Sequence, residues 1–295
     1  MKSAAILMAY GSPDQLADVP AYYADIRGGR PVAQENLDDL VARYRALGVG
    51  DATGPSPLNA ITEETRAALE GELGIPVFTG MRHWQPRIAA AVEAALDGGA
   101  HVLAGVVLAP HYSALSIGKY RALFDEAVDG RGEPRVVERW GTDPAFVQFL
   151  AARIRATAAH VVFTAHSLPM RILADGDPYQ DELFETARLV ADAAAVDDWS
   201  FSYQSESPTG EPWLGPDILD HLDELASRGV SDVLVCPVGF VSDHLEIRWD
   251  LDHEAADRAR ELGLRFERIR MPNAEPAFVA VLAGLVRREL AAVAA

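Results

Sequence analysis

Short apolar runs alternate with amphipathic segments along the whole of this 295-residue chain. In the first half "AAILMAYG", "IPVFTGM", "HVLAGVVLAP" and "RVVERW" read as strands, and "HVVFTAH", "WSFSYQ", "DVLVCPVGF" and "LRFERIR" repeat the pattern in the second. Between them, segments such as "ITEETRAALEGEL", "PRIAAAVEAALDGG", "DELFETARLVADAAA" and "DILDHLDELASRG" carry apolar residues at helical spacing, with Gly near several ends. Strands separated by helices pair in parallel, and parallel sheets are covered by helices on both faces. The alternation therefore predicts an α/β protein and excludes all-β and all-helical folds.

The halves echo each other. "AILMAYGSP" and "VVFTAHSLP" each run through Ala into a residue with a ring, and "HVLAGVVLAPHYS" and "DVLVCPVGFVSDH" each end on a His-bearing exit. The reading is two similar Rossmann-like lobes, residues 1–155 and 156–295, each a parallel sheet flanked by helices. Ligands of such sheets bind beyond the carboxyl ends of the strands, so Tyr10, His111, His166 and His244 are expected to face one cleft between the lobes. The chain has neither G-x-G-x-x-G nor G-x-x-x-x-G-K-[ST], which removes the usual dinucleotide and P-loop signals.

A formal charge of −18 opposes general binding to nucleic acid or anionic membranes, and an anionic ligand must be met by a local basic patch. One cysteine, Cys236, permits no intrachain disulfide and no four-cysteine metal site, and its apolar run makes it a core residue. The N-terminal run ends at Tyr10-Gly11-Ser12-Pro13 without an A-x-A site and reads as a first strand rather than a signal peptide. The apolar C-terminus is interrupted by Arg287, Arg288 and Glu289 and reads as a packed helix rather than a membrane span. A cytoplasmic monomer without stable membrane insertion is expected.

His166 lies in "TAHSLP", where an apolar strand runs into a loop. From these residues alone it is either a group at a ligand-binding edge or a hydrogen-bonded loop histidine. The densest run of ionisable groups is "GFVSDHLEIRWDLDHEAADRA". Ser242 or Asp243 is the expected cap of a helix starting near His244, along which Glu246, Asp250 and Glu254 recur every four residues, with Asp252 and His253 among them. At about 40° of drift per step the three carboxylates form one stripe. The stripe is either a solvated face or, because it starts at a strand exit, a path of hard oxygen ligands that hands on a divalent cation.

"MAYGSP", "YYADIRGGRP", "RYRALG", "SPLNAIT", "LAPHYSALSIGKY", "AHSLP", "GDPYQDEL", "YQSES", "EPWLGPDIL", "PVGFVSDHLEIRWDLDHE" and "MPNAEPAF", in this order across nearly the whole chain, closely resemble the ferrochelatase family, enzymes that insert ferrous iron into a porphyrin. The resemblance makes the space between the lobes a porphyrin cleft. It implies that His166 accepts pyrrole protons and contacts the metal, with Glu246 of "DHLE" as its acidic partner; these are the expected catalytic pair. The chemistry is sensible, since metalation removes two N–H protons while a dication enters, and a neutral imidazole beside a carboxylate serves both needs near pH 7. With Asp250 and Glu254, which resemble an outer metal site with Arg43 nearby, His166 and Glu246 make up the expected metal-contacting set.

The resemblance also names substrate-binding residues. Tyr10 matches an aromatic whose phenol lies near the porphyrin metal on the face opposite the histidine; Arg27 of "IRGGRP" and Ser56 of "SPL" match propionate contacts. Arg30 is a weaker candidate for the same contact, the alternative being that it only caps or covers a helix end. Members reading "IRRGR" carry an arginine where this chain has Gly28, and the "GVGDATGP" loop is longer than the family's usual "GG". Trp213 and Trp249 are expected as core or cleft-wall aromatics, and His83 of "MRHWQP" as a structural histidine. With a single cysteine the chain cannot carry the iron–sulfur cluster of some members.

The function so implied needs no organic cofactor, takes Fe2+ as substrate, and allows a regulatory divalent cation at the outer site and transient contact with neighbouring haem-pathway enzymes. Tyr10 in "MAYGSP" resembles the subgroup that acts on coproporphyrin III to give coproheme. A protoporphyrin IX ferrochelatase and a porphyrin- or haem-binding carrier are the alternatives. A smaller two-histidine cobalt chelatase is opposed by chain length and by the motif around Glu246.

Overall fold

The computed structural model describes residues 2–49, 56–155, 157–207 and 209–292. Among these residues eight strands form two four-stranded parallel sheets. The first holds β1 (Ser3–Ala9), β2 (Val77–Met81), β3 (Val102–Val107) and β4 (Glu133–Val137), in the order β2-β1-β3-β4. The second holds β5 (His160–His166), β6 (Trp199–Gln204), β7 (Asp232–Cys236) and β8 (Arg265–Arg268), in the order β6-β5-β7-β8. Every expected strand run overlaps one of these strands, β1 and β4 starting one and two residues before their runs, and both sheets are wound alike, with the first strand between the second and third.

Burial explains the apolar runs. In β1, Ala5 and Leu7 face one core while Ala4, Ile6 and Met8 face another, so no position in the strand is left for a solvated side chain. The edge strand β8, "RFER", alternates exposed and half-buried residues instead, and its charges blunt an edge that would otherwise pair with another chain.

The helices are α1 (Val19–Ile26), α2 (Gln34–Ala46), α3 (Pro57–Leu73), α4 (Ile88–Asp97), α5 (Ile117–Val128), α6 (Pro144–Ile154), α7 (Arg171–Ala174), α8 (Tyr179–Ala194), α9 (Ile218–Ser227), α10 (Ala256–Leu262) and α11 (Pro276–Ala291). A π-helix, Ile247–Ala255, precedes α10. Helix starts follow local chemistry: Asp143 accepts the Ala145 N–H at 3.0 Å ahead of α6, and Asp217 accepts the Leu219 N–H at 2.8 Å ahead of α9. Residues of α4 and α5 cover one face of the first sheet, and those of α9, α10 and the π-helix cover one face of the second.

Two helices join the sheets. α6 packs on α8 and β7, while α11, at the far end of the sequence, returns to lie on α3, β3 and β4. One continuous core therefore mixes Leu7, Val106 and Trp140 with Phe163, Phe201 and Cys236. At its centre Trp140 meets Phe146 at 4.9 Å, and Phe149 meets Phe278 at 5.7 Å, between ring centroids. We propose the lobe boundary between residues 155 and 156, as a division of the sheets across which α6 and α11 are exchanged.

Phe278 is fully buried at this junction. Phe278→Ala is expected to lower unfolding free energy by about 3–5 kcal/mol, read as a shift in the urea midpoint. A loss below about 1 kcal/mol would show that the joint core contributes little.

Candidate active site

His166 is the last residue of β5 and its main chain is fixed on two sides. The Tyr179 hydroxyl donates to the His166 carbonyl at 3.0 Å, and the Ser167 N–H donates to the Gln204 carbonyl at 2.8 Å. The ring Nδ1 makes a short bond to the Ser167 carbonyl. A carbonyl only accepts, so Nδ1 carries the hydrogen and Nε2 is turned toward Glu246, whose Oε1 lies 3.6 Å away. Close backbone approach brings Glu246 there. A Cβ on Gly239 would fall 2.6 Å from the Ala165 Cβ, so only glycine lets the chain after β7 lie against the end of β5. Gln204 then binds the Glu246 carbonyl through Nε2 at 2.8 Å.

The pair is 31% and 37% exposed and lines an open wall, with the Trp213 ring 6.4 Å from that of His166. Burial alone would lower the His166 pKa. The Glu246 carboxylate, followed by the Ser167 carbonyl, outweighs it and raises the imidazole to about 9. Burial likewise pushes Glu246 up, and His166 overrides it, bringing the carboxyl to about 2. Where a neutral imidazole was expected near pH 7, the two groups sit close enough to stabilise each other's charge, which favours the imidazolium–carboxylate form of the pair.

The acidic segment also departs from expectation. Its first turn is capped by neither Ser242 nor Asp243: the Ile247 N–H donates to Nδ1 of His244 at 3.2 Å. Asp243 is instead bound to Asn273 and Arg268. The segment is a π-helix, with the Ala256 N–H reaching back to the Leu251 carbonyl, so the α-helical drift of about 40° per four residues does not describe it.

On that helix Asp250 is buried and bonded to the Ser205 hydroxyl, and it is pushed up to about 7 by burial and then by the Glu246 charge. Glu254 lies at 4.0 Å from Arg43, whose guanidinium stands over the Trp249 ring, and Trp249 in turn stacks on His253. Glu246 and Glu254 both act electrostatically on Asp250. Among the described residues no three His, Cys, Asp or Glu side chains close into a metal-holding group.

The first lobe brings Tyr10 within range of the Glu246 charge. Tyr10 follows β1 as His166 ends β5, and its phenol is held well above the usual range by burial and by the Glu246 charge. His83, read from sequence as a structural histidine, lies 4.5 Å from the Tyr10 ring, centroid to centroid. Its Nδ1 bonds Asp25 at 2.8 Å, and Arg87 holds the same carboxylate at 2.7 Å. Asp25 is far from His83 in the chain, so no local pattern announced this support.

Arg27 is half-buried at the end of α1, and among the described residues its guanidinium has no ion pair; Arg30 caps that end by donating to the Arg27 carbonyl at 3.0 Å. Gly28 has φ +61°, so an arginine at this turn would be strained. Ser56 is buried at the start of α3, where Asn59 ties the helix to the Ser12 carbonyl at 2.7 Å. The loop before it, residues 50–55, lies outside the described residues.

His111 does not face the cleft. It is buried against Thr186 at 2.9 Å, with burial holding its pKa at about 3, because the loop after β3 turns into α8 instead. His244 stays beside Glu246 as a neutral ring with its pKa lowered by burial.

A family model described as ferrochelatase matches residues 2–290. The chain belongs to the ferrochelatase family. It is 42% identical to a ferrochelatase of Herpetosiphon aurantiacus, across 97% of this chain and 98% of that one. It is 39% identical to a coproporphyrin III ferrochelatase of Halalkalibacterium halodurans, across 97% and 96%. Among solved structures SirB from Bacillus subtilis with Fe3+ shares the fold, with a TM-score of 0.62 at 14% identity and coverage of 98% and 96%. The chain is a metal-inserting lyase, with ferrous iron and a porphyrin as the family's substrates. Among the described residues no helix is long and apolar enough to cross a membrane.

The mutual stabilisation of His166 and Glu246 can be read directly by NMR titration of the iron-free protein. A raised pKa means that His166 stays protonated until the pH passes about 9. In Glu246→Gln burial acts against a weaker opposition, so the midpoint is expected to fall by well over one unit. An unchanged midpoint would rule out the pairing.

Proposed function

We propose that the enzyme inserts ferrous iron into coproporphyrin III, giving coproheme, in the cleft between Tyr10 and the His166–Glu246 pair. The reading is carried by that pair, an imidazole and a carboxylate at 3.6 Å on one wall, with the phenol of Tyr10 within reach of the Glu246 charge on the other. Metalation exchanges two pyrrole protons for one dication. The approaching Fe2+ is attracted by Glu246 and repels the imidazolium proton, so the part-exposed His166 releases that proton to solvent as the metal arrives. Nδ1–H still donates to the Ser167 carbonyl, which leaves Nε2 to accept the two pyrrole protons in turn, passing the first to solvent before it takes the second.

Glu254, Asp250 and Glu246 serve as successive oxygen donors along the iron path, with Asp250 exchanging its own proton near neutrality. Arg27 and Ser56 meet propionates. A guanidinium with no ion pair among the described residues suits this role in a chain of charge −18, because charge-assisted contacts are the strong ones. Coproporphyrin carries four propionates against the two of protoporphyrin IX, and relatives at 39% and 40% identity are coproporphyrin III ferrochelatases. We further propose a cytoplasmic monomer without an organic cofactor.

Anaerobic absorbance assays with ferrous iron and each porphyrin test the substrate. A higher kcat/KM is expected for coproporphyrin III, and Arg27→Ala should raise its KM roughly ten-fold or more. Preference for protoporphyrin IX would overturn the substrate assignment while leaving the enzyme class intact. His166→Ala is expected to lower kcat by about 10²- to 10⁴-fold with porphyrin binding retained. Glu254→Gln should change the iron dependence more than maximal turnover; identical iron saturation curves would return Glu254 to a solvated face.

A further inference from the structure

"MPNAEP" has no role in the function proposed above, yet it is bonded to the segment that carries Glu246. Asn273 has φ +48°, a left-handed conformation that asparagine tolerates better than most residues but still at a cost. Its N–H donates to the Val241 carbonyl at 2.9 Å. Its side chain forms a reciprocal pair with Asp243: Oδ1 accepts the Asp243 N–H at 2.8 Å, and Nδ2 donates to Oδ2 of Asp243 at 2.8 Å. Main chain and side chain of Asp243 are thus held by a single residue.

Arg268, at the end of β8, completes the arrangement. Its guanidinium donates to Oδ1 of Asp243 at 2.9 Å and, in two bonds of 2.6 and 2.8 Å, to both oxygens of Asp252. Arg268 and Asp243 are only 16% and 14% exposed, which separates this contact from ordinary surface ion pairs. Asp243 precedes Glu246 by three residues and Asp252 lies beyond Asp250. One cation therefore bridges both ends of the stretch that bears the two carboxylates nearest His166. Glu275, two residues after Asn273, pairs with Arg153 of α6 and ties the same motif to the core between the lobes.

We propose that Arg268 and Asn273 are positioning residues for metalation, holding the Glu246 segment at its working distance from His166. The proposal rests on the reading of His166 and Glu246 as the reactive pair. At 3.6 Å the pair stands just beyond hydrogen-bond range, where a shift of about 1 Å in a reacting group can cost about 100-fold in rate. The segment so held is a π-helix, a rare geometry found mostly as single-turn bulges and frequently at functional sites.

The test measures anaerobic turnover, porphyrin KM and thermal midpoint for Asn273→Gly, Arg268→Ala, Arg268→Lys and Glu246→Gln, together with Arg268→Ala and Asn273→Gly each combined with Glu246→Gln. Glycine keeps the left-handed backbone and removes only the side-chain bonds. Asn273→Gly and Arg268→Ala are expected to lower kcat by about 10- to 100-fold with porphyrin KM nearly unchanged, and Arg268→Lys to recover part of the loss. In the Glu246→Gln background neither should cost anything further, because both act through Glu246. Should Arg268→Ala fail to fold, Asn273→Gly and its combination decide the matter. Wild-type kcat in Asn273→Gly with only a lowered midpoint, or full additivity with Glu246→Gln, overturns the positioning role. Full turnover in Glu246→Gln overturns the reactive-pair reading itself, and the positioning role with it.

Discussion

Everything at the cleft depends on the apolar joint made where α6 and α11 cross between the sheets. Trp140, Phe146, Phe149 and Phe278 interlock there, and the Trp140 indole also donates to the Val107 carbonyl at 3.2 Å. A core packed at crystal-like density does not deform continuously. The carboxyl ends of β1 and β5 are therefore fixed with respect to each other, and so are the rings that follow them. Polar ties reinforce the joint: Asp177 accepts from the Ala114 N–H at 2.7 Å and from Ser113, and Glu182 accepts from the Tyr112 N–H at 2.8 Å. Tyr179, on the same helix as Glu182, holds the His166 carbonyl, so lobe contact and imidazole position share one support.

Charge acts on a shorter scale. The chain is strongly acidic overall, yet the cleft pairs a cation with an anion and keeps Asp250 near its own midpoint. Such a site is poised for exchange of charge rather than for permanent storage of it. On the proposed function, a dication entering beside Glu246 meets groups that can shed protons, so its arrival need not leave a large uncompensated charge in a partly desolvated space.

The strands were legible because burial on both faces leaves a continuous apolar signature, and the terminal helix because its charges are spaced too closely for a membrane span. His166 and Glu246 were legible through their motifs, but their ionisation was not, since it follows from a distance between residues remote in sequence. His111 misled because a strand exit does not reveal which way the next loop turns; here it turns into α8. The π-helix was invisible because a wider hydrogen-bonding span carries no compositional mark. Likewise, nothing in "LRFERIR" distinguishes Arg268, which binds two aspartates, from Arg265 on the same strand.

The repeated sheet order has a consequence for a flat substrate. Tyr10 and His166 stand at corresponding positions after the inner strands β1 and β5, one a neutral phenol and the other an ionised imidazole. Two identical half-molecules meeting about a two-fold axis would offer the same ring to both sides of a planar ring system. Covalent union of two similar halves lifts that restriction, since each copy can change its residue independently. On the proposed function the molecule is thereby built with a polarity across the substrate plane, so metal and protons need not use the same side.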